Sequence, residues 1–574
     1  MKKLALASAV SMAVLLSACS GDDGKDGAQG AQGPQGPQGD TGAQGPQGQP
    51  GVGVPPAKLV RLVTTPLGSE VTGMYKTDNG EFFFNIQHPD TSLPGDEGKA
   101  AVGAWVGVDV DNLDPYMTGV AVPASDSAEA QTTVVAGGSY QVLGREGDTF
   151  TSTLPYGLGA IVNGAGDALI KQSENPDFNA YLPTSADGST GLLFTAWEDR
   201  PGAMSRIELT LEEDGTWTTG SALNIDFSGV AGTMINCFGT LSPWGTPLTS
   251  EENYEAENTK EWNNTAYSGG YPNYADVQNI QTYLGGTYPN PYDYGYIVEI
   301  TNPKETSPAP VKLFAMGRYA HENPVVMPDH KTVYLTDDGT NKGFYKFVAD
   351  TAGDLTAGTL YAAKLTQDAT SNTEKAGFNV SWIELAHGTN TEIEAWINTY
   401  DGIDETDFVD GSNSYITDAE VATWAAGGAA DNRVAFLETL KAAGAKGATV
   451  EFRKMEGVNI NYAGVASGAV PYMYVAMSEV AKGMSDDEGD IQVEENKCGA
   501  VYRFGLDASY NTTRMEPVVV GGPYDGDAAE NRCALDNISN PDNIVVLDDG
   551  RVIIGEDTGN HVNNMIWVYN PAGK

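Results

Sequence analysis

Three observations predict an all-β fold built as a single large β-propeller, for which six blades are expected once long insertions are allowed. The apolar runs are short, β-branched or aromatic, and bounded by Gly, Asn and Asp. Glycine (69) and tyrosine (27) are abundant while apolar residues reach only 40%. Paired strand-like segments recur along most of the 574 residues, far more than one ordinary core supports, which suits blades repeated around an axis. At about 40–50 residues per blade the globular part would hold more than ten, so six blades require long insertions.

Taken in order, Met1–Ser20 carries Lys2 and Lys3 and then a short apolar run ending Leu16-Ser17-Ala18-Cys19. This is the layout of a secretory signal and too short to span a bilayer as a helix. The ending resembles a bacterial lipobox, which implies removal of residues 1–18 and lipidation of Cys19 as a membrane anchor. Ser20 in place of Asp resembles Gram-negative lipoproteins of the outer membrane, so the expectation is a cell-envelope lipoprotein. From Gly21 to Gly51 glycine recurs every third residue, the collagen repeat in which only Gly fits at the axis of three wound chains. Residues 19–57 are therefore expected to be a lipid anchor and a collagen-like or disordered stalk, roughly 90 Å long at about 3.1 Å per residue, able to form a homotrimer. The propeller is expected over 58–574.

Strands are expected at Glu81–Ile86, Ala101–Val108, Gly191–Ala196, Met204–Leu211, Tyr294–Ile300, Val333–Thr336, Gly343–Val348 and Thr359–Lys364. They continue at Thr449–Arg453, Pro471–Met477, Gly499–Phe504, Asn543–Leu547, Arg551–Gly555 and Asn564–Tyr569, with Asp78-Asn79-Gly80 and Asp548-Asp549-Gly550 as hairpin turns. Thr417-Asp-Ala-Glu420 fits a capping box, and Val434, Leu437 and Leu440 share one helical face. A short helical insertion is expected over about 365–447.

With 77 acidic and 32 basic residues the formal charge is −45, which repels nucleic acid. The same acids offer the oxygen ligands that calcium takes. Of the cysteines beyond Cys19, Cys498 and Cys533 are the better candidates for a disulfide because they are closer in sequence, leaving Cys237 as a buried thiol or a metal ligand. No Walker loop, nucleophile elbow or paired CxxC motif is present, and the five histidines are scattered. What remains is polar chemistry at strand ends: Glu251-Glu252, Arg318 with His321-Glu322, Asp337-Asp338, Arg453-Lys454 with Glu456, Asp542-Asn543 and Glu556-Asp557. Carboxylates with one thiol suit mixed hard-cation and iron chemistry.

The stretches NCFGTLSPWGTPLTSEENY from Asn236, GYIVEI from Gly295, GRYAHENPVV from Gly317, VYLTDDGTNKGFYKFV from Val333 and GTLYAAKL from Gly358 come in one order with FRKMEG, YMYVAM, GAVYRF and PDNIVVLDDGRVIIGED. Together they resemble the PhoX family of alkaline phosphatases. The resemblance implies a β-propeller holding ferric iron and calcium and hydrolysing phosphomonoesters outside the cytoplasm. It implies Cys237 and Glu252 as iron ligands, Glu322 and Glu456 as further metal carboxylates, and Glu198, Asp337, Asp542, Asn543 and Glu556 as weaker candidates. Arg318, Arg453 and Lys454 would share the phosphate oxygens. Because neighbouring strand residues face opposite sides, only one of Glu251 and Glu252 need enter the site, and Glu251 is expected to be spare.

Two departures stand out. Lys454 occupies the place where the family has Arg, a point charge in place of a planar fork. PLGSEVTGMYKTDNGEFFFNIQHP, from Pro66, resembles a motif near the family's C-terminus, so a permuted ring closure would place Gln87 and His88 equivalently. From another class, the alternative is a non-catalytic, calcium-stabilised adhesion module on a collagen-like stalk. A diester, phytate or lactone substrate would keep the fold and change the ester.

Overall fold

The computed structural model describes residues 58–150, 154–253, 259–268 and 273–572. The signal, Cys19 and the collagen-like repeat lie outside them. Thr190–Trp197 (TGLLFTAW) is buried along nearly its whole length, as a strand flanked on both edges and covered on both faces must be. Its neighbours Pro176–Pro183, Ala203–Leu211 and Trp217–Asn224 complete an antiparallel four-stranded sheet. A second such sheet runs Glu70–Lys76, Phe82–Gln87, Ala101–Val106, Ser139–Arg145, and a third Asn236–Leu241, Pro247–Glu251, Ile297–Thr301, Ala309–Lys312. The expected turns Asp78-Asn79-Gly80 and Asp548-Asp549-Gly550 join strands, with Gly80 at φ +83° and Gly550 at φ +85°, conformations that a Cβ would strain.

A nine-stranded sheet is two meanders fused at their outer edges. One begins at His321–Val326 and the other at Met455–Asn459, and they join where Phe378 pairs with Met515 and Asn379 with Arg514. The last sheet closes the chain on itself: Pro541–Val546, Val552–Glu556 and Met565–Tyr569 are continued by Leu59–Thr64, whose Leu59 pairs with Tyr569 and Thr64 with Met565. The first strands of these meanders pack in a cycle. Glu70–Lys76 lies against Pro176–Pro183, then follow Asn236–Leu241, His321–Val326, Met455–Asn459 and Pro541–Val546, which returns to Glu70–Lys76. The class is all-β with few helices.

The helical segment begins later than expected. Asp354–Gln367 and Phe378–Thr389 pair along their length, so the sheet continues to Thr389. Helices follow at Asn390–Ile397, Asp418–Ala425, Arg433–Leu437 and Thr439–Ala445. Thr417 and Glu420 form the expected capping box, while Leu440 is only half-buried beside buried Val434 and Leu437. Their apolar faces pack with Tyr292, Tyr296 and Leu360. A helix at Tyr274–Tyr283, capped by Asn273 and Asp276, was not expected from the sequence. Among the described residues no helix is long and apolar enough to cross a membrane.

Cys498 and Cys533 form a disulfide with Cα atoms 5.9 Å apart, and Cys237 is a buried free thiol. The backbone N–H of Asn540 donates to the carbonyl of Cys498 at 2.9 Å, tying this bridge to the entry of the Pro541–Val546 strand. Reduction is expected to cost about 4 kcal/mol from the loop entropy released. Denaturant unfolding with and without reductant checks this; equal midpoints would refute it.

Candidate metal centre

In five of the six strands of the cycle, the second residue is a potential metal ligand: Asp177, Cys237, Glu322, Glu456 and Asp542. Each of these strands has a register irregularity at that end, between Cys237 and Gly239, His321 and Pro324, Met455 and Val458, or Pro541 and Ile544, and opposite Asp177 between Thr195 and Trp197. Such bulges re-aim side chains, and here they do so at one end of the cycle. The residue that follows the second strand of each meander supplies another set: His88, Glu198, Glu252, Asp338, Ser478 and Asp557.

These positions converge. Asp177, Glu198 and Cys237 form one group, Cys237, Glu252 and Glu322 a second, and Glu322, Glu456 and Asp542 a third, all buried, with ligand atoms inside each group within 4.8 Å of one another. The Cys237 Sγ lies 3.0 Å from Asp177 Oδ2 and 3.1 Å from Glu322 Oε2, more contacts than one thiol hydrogen serves. Oxygens across one calcium ion are about 4.6–5.2 Å apart, twice the usual metal–oxygen distance, so the spacing suits shared cations. Among the described residues no hydrogen-bond donor meets Asp177 Oδ1 or either carboxylate oxygen of Glu456.

The electrostatics make the same demand. Burial, then Glu198 and Asp542, push the Asp177 carboxyl well above the ordinary range. Burial, then Glu252 and Glu456, do so for Glu322, and burial and Asp338 for Glu456. Ionised carboxylates this deep need cations, since each unpaired one costs several kcal/mol. Lys454 supplies one, with Nζ 3.8 Å from Glu456 Oε1. Burial alone would lower its pKa, but Glu456, Asp338 and Asp557 hold the ammonium above its usual range. One lysine cannot balance six carboxylates, so the residues present fit a multi-cation centre.

Backbone strain collects here too. Lys454, Ile235 and Asn540, each immediately before a strand of the cycle, have φ of +51°, +50° and +43°. For β-branched Ile235 this is costly, on the order of 1–3 kcal/mol, and the surrounding bonds hold it: its N–H donates to Asp199 O at 2.7 Å and its carbonyl accepts from Glu252 N–H at 3.0 Å.

The sequence-predicted residues divide into two sets. Cys237, Glu252, Glu322, Glu456, Glu198 and Asp542 come together. Asn543 stands behind them, donating to Asp542 Oδ1 at 2.8 Å and accepting from Met74 N–H at 3.1 Å, so it orients the carboxylate and joins two strands of the cycle. Asp337 and Glu556 are each one residue out of register. Asp337 faces Lys342, at 3.4 Å, and the N–H of Gly343; Glu556 accepts from Ser539 N–H, Trp567 Nε1 and His561 Nδ1. Their successors Asp338 and Asp557 are the ones turned to Lys454, because one step along a strand reverses the side. Glu251 is turned away in the same manner, 3.1 Å from Lys312 Nζ and capping the N–H groups of Met234, Gly295 and Tyr296.

The two arginines are engaged elsewhere. Arg318 donates through Nε to the carbonyls of Pro291 and Tyr294, through Nη1 to that of Leu437, and stacks on Tyr292. It pins the helical segment to the sheets, and Arg318→Met is expected to cost about 3 kcal/mol of stability with metal content unchanged, measured by unfolding and elemental analysis. Arg453 bonds Glu479 at 2.7 Å and Thr340 at 2.8 Å. Asp177 was missed from the sequence, although its Asn175-Pro176-Asp177 repeats the Asn540-Pro541-Asp542 that opens another strand of the cycle.

At the remaining strand of the cycle, Glu70 meets His88 Nε2 at 2.9 Å, while His88 Nδ1 meets the Gly68 carbonyl at 3.1 Å. Both ring nitrogens face acceptors, so the imidazolium form fits. Burial works against the charge, but Glu70 raises the His88 pKa from 6.5 to about 9. A folded-state pKa above the unfolded one gives stability that is complete below about pH 6.5 and lost as pH rises through about 9. His88→Gln should remove that slope from unfolding midpoints taken between about pH 6 and 10; an unchanged slope would count against the pair.

The family model described as alkaline phosphatase PhoX matches residues 203–574, well over half of the chain. No curated protein sequence matches. Among solved structures, Pseudomonas fluorescens PhoX in complex with vanadate, a transition state analogue, is similar at 20% identity, with 74% of this chain and 82% of that chain covered and a TM-score of 0.51. At that identity the likeness speaks to the fold. A putative 6-phosphogluconolactonase from Bacteroides uniformis matches at 10% identity over 86% of this chain and 89% of that one, TM-score 0.28. The soluble aldose sugar dehydrogenase of Escherichia coli matches at 9% identity over 89% and 99%, TM-score 0.33. With more than half of its length matched, the chain belongs to the PhoX alkaline phosphatase family and is a metal-dependent phosphoric monoester hydrolase.

Proposed function

We propose that the chain is an extracytoplasmic phosphomonoesterase that releases phosphate from small organic phosphate esters at an iron and calcium centre. The observation that carries this reading is the convergence of one thiol and six carboxylates beside a single buried lysine at one end of the strand cycle. The six meanders around that cycle support a six-bladed propeller, its ring closed by Leu59–Thr64.

Cys237, which Asp177 and Glu198 share on one side and Glu252 and Glu322 on the other, would hold iron together with Glu252 and Glu322; Glu322, Glu456 and Asp542 offer oxygen alone and suit calcium. Bound cations supply Lewis acidity and offset the negative oxygens of the ester, which a chain at −45 otherwise repels. Lys454 would hold a non-bridging phosphate oxygen, with Asp338 and Asp557 fixing the ammonium from behind. Asn543 keeps Asp542 aimed. The vanadate bound by the Pseudomonas relative supports phosphoryl chemistry as the reaction class.

The disulfide supports an oxidising compartment. With the lipobox-like Leu16-Ser17-Ala18-Cys19, it favours an envelope lipoprotein anchored at Cys19, displayed on a collagen-like stalk that can trimerise. Purified protein should contain iron and calcium and release phosphate from an aryl phosphate at alkaline pH. Calcium without iron and without turnover would favour the surface-module reading. Sedimentation in the cold tests the trimer, which a monomeric coefficient excludes.

A further inference from the structure

Five of the six meanders repeat one backbone contact. The residue two places before the ligand of the cycle strand accepts, through its carbonyl, the N–H of the residue that follows the second strand. Asn175 takes it from Glu198 at 2.9 Å, Ile235 from Glu252 at 3.0 Å, Ala320 from Asp338 at 3.0 Å, Lys454 from Ser478 at 2.8 Å and Asn540 from Asp557 at 3.1 Å. In four of the five the residue held in this way is an acid. In the fifth it is Ser478, a neutral hydroxyl at the place where its counterparts carry carboxylates.

Ser478 is 1% exposed, and its Oγ meets no partner among the described residues. Its backbone is fixed from both sides, because its carbonyl also accepts from Asn540 Nδ2 at 3.0 Å. The pairing of Met455 with Met477 sets Ser478 beside Lys454 at the strand ends. Buried hydroxyls are normally bonded, so a group from outside the protein's own set is expected to meet this one.

The charge around Ser478 selects that group. At the other four positions a carboxylate adds negative charge and favours a cation. Here the carboxylate is missing, and the residue alongside carries an ammonium that Glu456, Asp338 and Asp557 keep charged. A cation beside an ammonium is repelled, whereas an anionic oxygen is attracted. A hydroxyl gives one hydrogen without changing the charge of the site, and its bond to an ionised oxygen is of the stronger kind.

We propose that Ser478 is a substrate-binding residue whose Oγ–H donates to a non-bridging oxygen of the bound phosphate, beside the Lys454 ammonium. The absent carboxylate makes this sector of the ring the one that receives the phosphoryl group. The assignment rests on the hydrolase reading above and extends it to a second, uncharged donor.

The test is calorimetric binding of inorganic phosphate to the metal-loaded full chain, with elemental analysis and steady-state kinetics alongside. Ser478→Ala should weaken phosphate at least about tenfold and lower kcat/KM to match, with iron and calcium unchanged. Ser478→Thr, which keeps a hydroxyl, should recover most of that loss. Ser478→Asp, which puts back the acid of the other meanders, should bind phosphate more weakly than the alanine variant. Unchanged phosphate affinity and kcat/KM in Ser478→Ala would overturn the assignment and leave ordered water as the partner of Oγ. A calcium equivalent lost in Ser478→Ala would also overturn it, because Oγ would then face a cation. If the unmodified chain binds phosphate but releases none from an aryl phosphate, the hydrolase reading fails, and the ranking of phosphate affinities still decides the role of Ser478.

Discussion

Glu322→Gln is expected to lower kcat/KM by about 10³-fold, roughly 4 kcal/mol, and to strip both iron and calcium. Glu322 is the carboxylate common to the group it forms with Cys237 and Glu252 and to the all-oxygen group, and it also touches Cys237 Sγ. Its loss removes a ligand from two cations at once, whereas Asp177→Asn should disturb only the group it shares with Glu198. Stability should respond with opposite signs in the two metal states. In stripped protein, burial and the neighbouring Glu252 and Glu456 raise the Glu322 pKa, so the carboxyl costs stability above its unfolded value and the cost grows with pH. There the glutamine should be neutral or stabilising, most clearly at alkaline pH. In metal-loaded protein the same change should destabilise. Elemental analysis, steady-state kinetics and unfolding of both forms check this, and full metal content with full activity in Glu322→Gln would remove Glu322 from the centre.

The same two-sidedness explains what the sequence disclosed. The expected strands at Gly191–Ala196, Val333–Thr336 and Gly499–Phe504 fall on strands buried by apolar neighbours, where β-branched and aromatic residues report burial directly. The strands of the cycle are harder to read. Pro176–Pro183 begins and ends in proline, His321–Val326 reads HENPVV, and Met455–Asn459 reads MEGVN. Their inner side faces ligands and not a core, so the polar residues that make the site also erase the strand pattern. Five of the six cycle strands were for that reason not anticipated, although Cys237, Glu322 and Glu456 were named from motifs that lie on them. The misplacements at Asp337 and Glu556 are single-residue slips of register. Two adjacent acids at a strand end do not say which faces inward, and only the pairing of His321 with Asp337 and of Pro541 with Glu556 decides it. Arg318 was legible as a motif residue and not as a carbonyl clamp, because Leu437 lies more than a hundred residues away in sequence.

Lys454→Met is expected to reduce kcat/KM by about 10²-fold, near 3 kcal/mol, while metal content stays within that of the unmodified chain. The lysine Nζ lies 3.8 Å from Glu456 Oε1, inside the carboxylate cluster, whereas Arg318 donates to backbone carbonyls that tie the helical segment to the sheets. Its backbone is held in the left-handed region, with its N–H donating to Gly339 O and its carbonyl accepting from Ser478 N–H, both at 2.8 Å. Strain retained at such a position is consistent with a task for the side chain and not for the chain trace. Arginine should partly substitute, because charge is kept, yet its planar fork presents its donors in a fixed geometry where Lys454 offers a compact point charge. Lys454→Arg is therefore expected within about tenfold of the native rate. A loss confined to kcat/KM with metals retained assigns Lys454 to the substrate; a parallel loss of metal would show that it acts by holding the carboxylates together. Unaltered kinetics in Lys454→Met would leave phosphate binding to the cations alone.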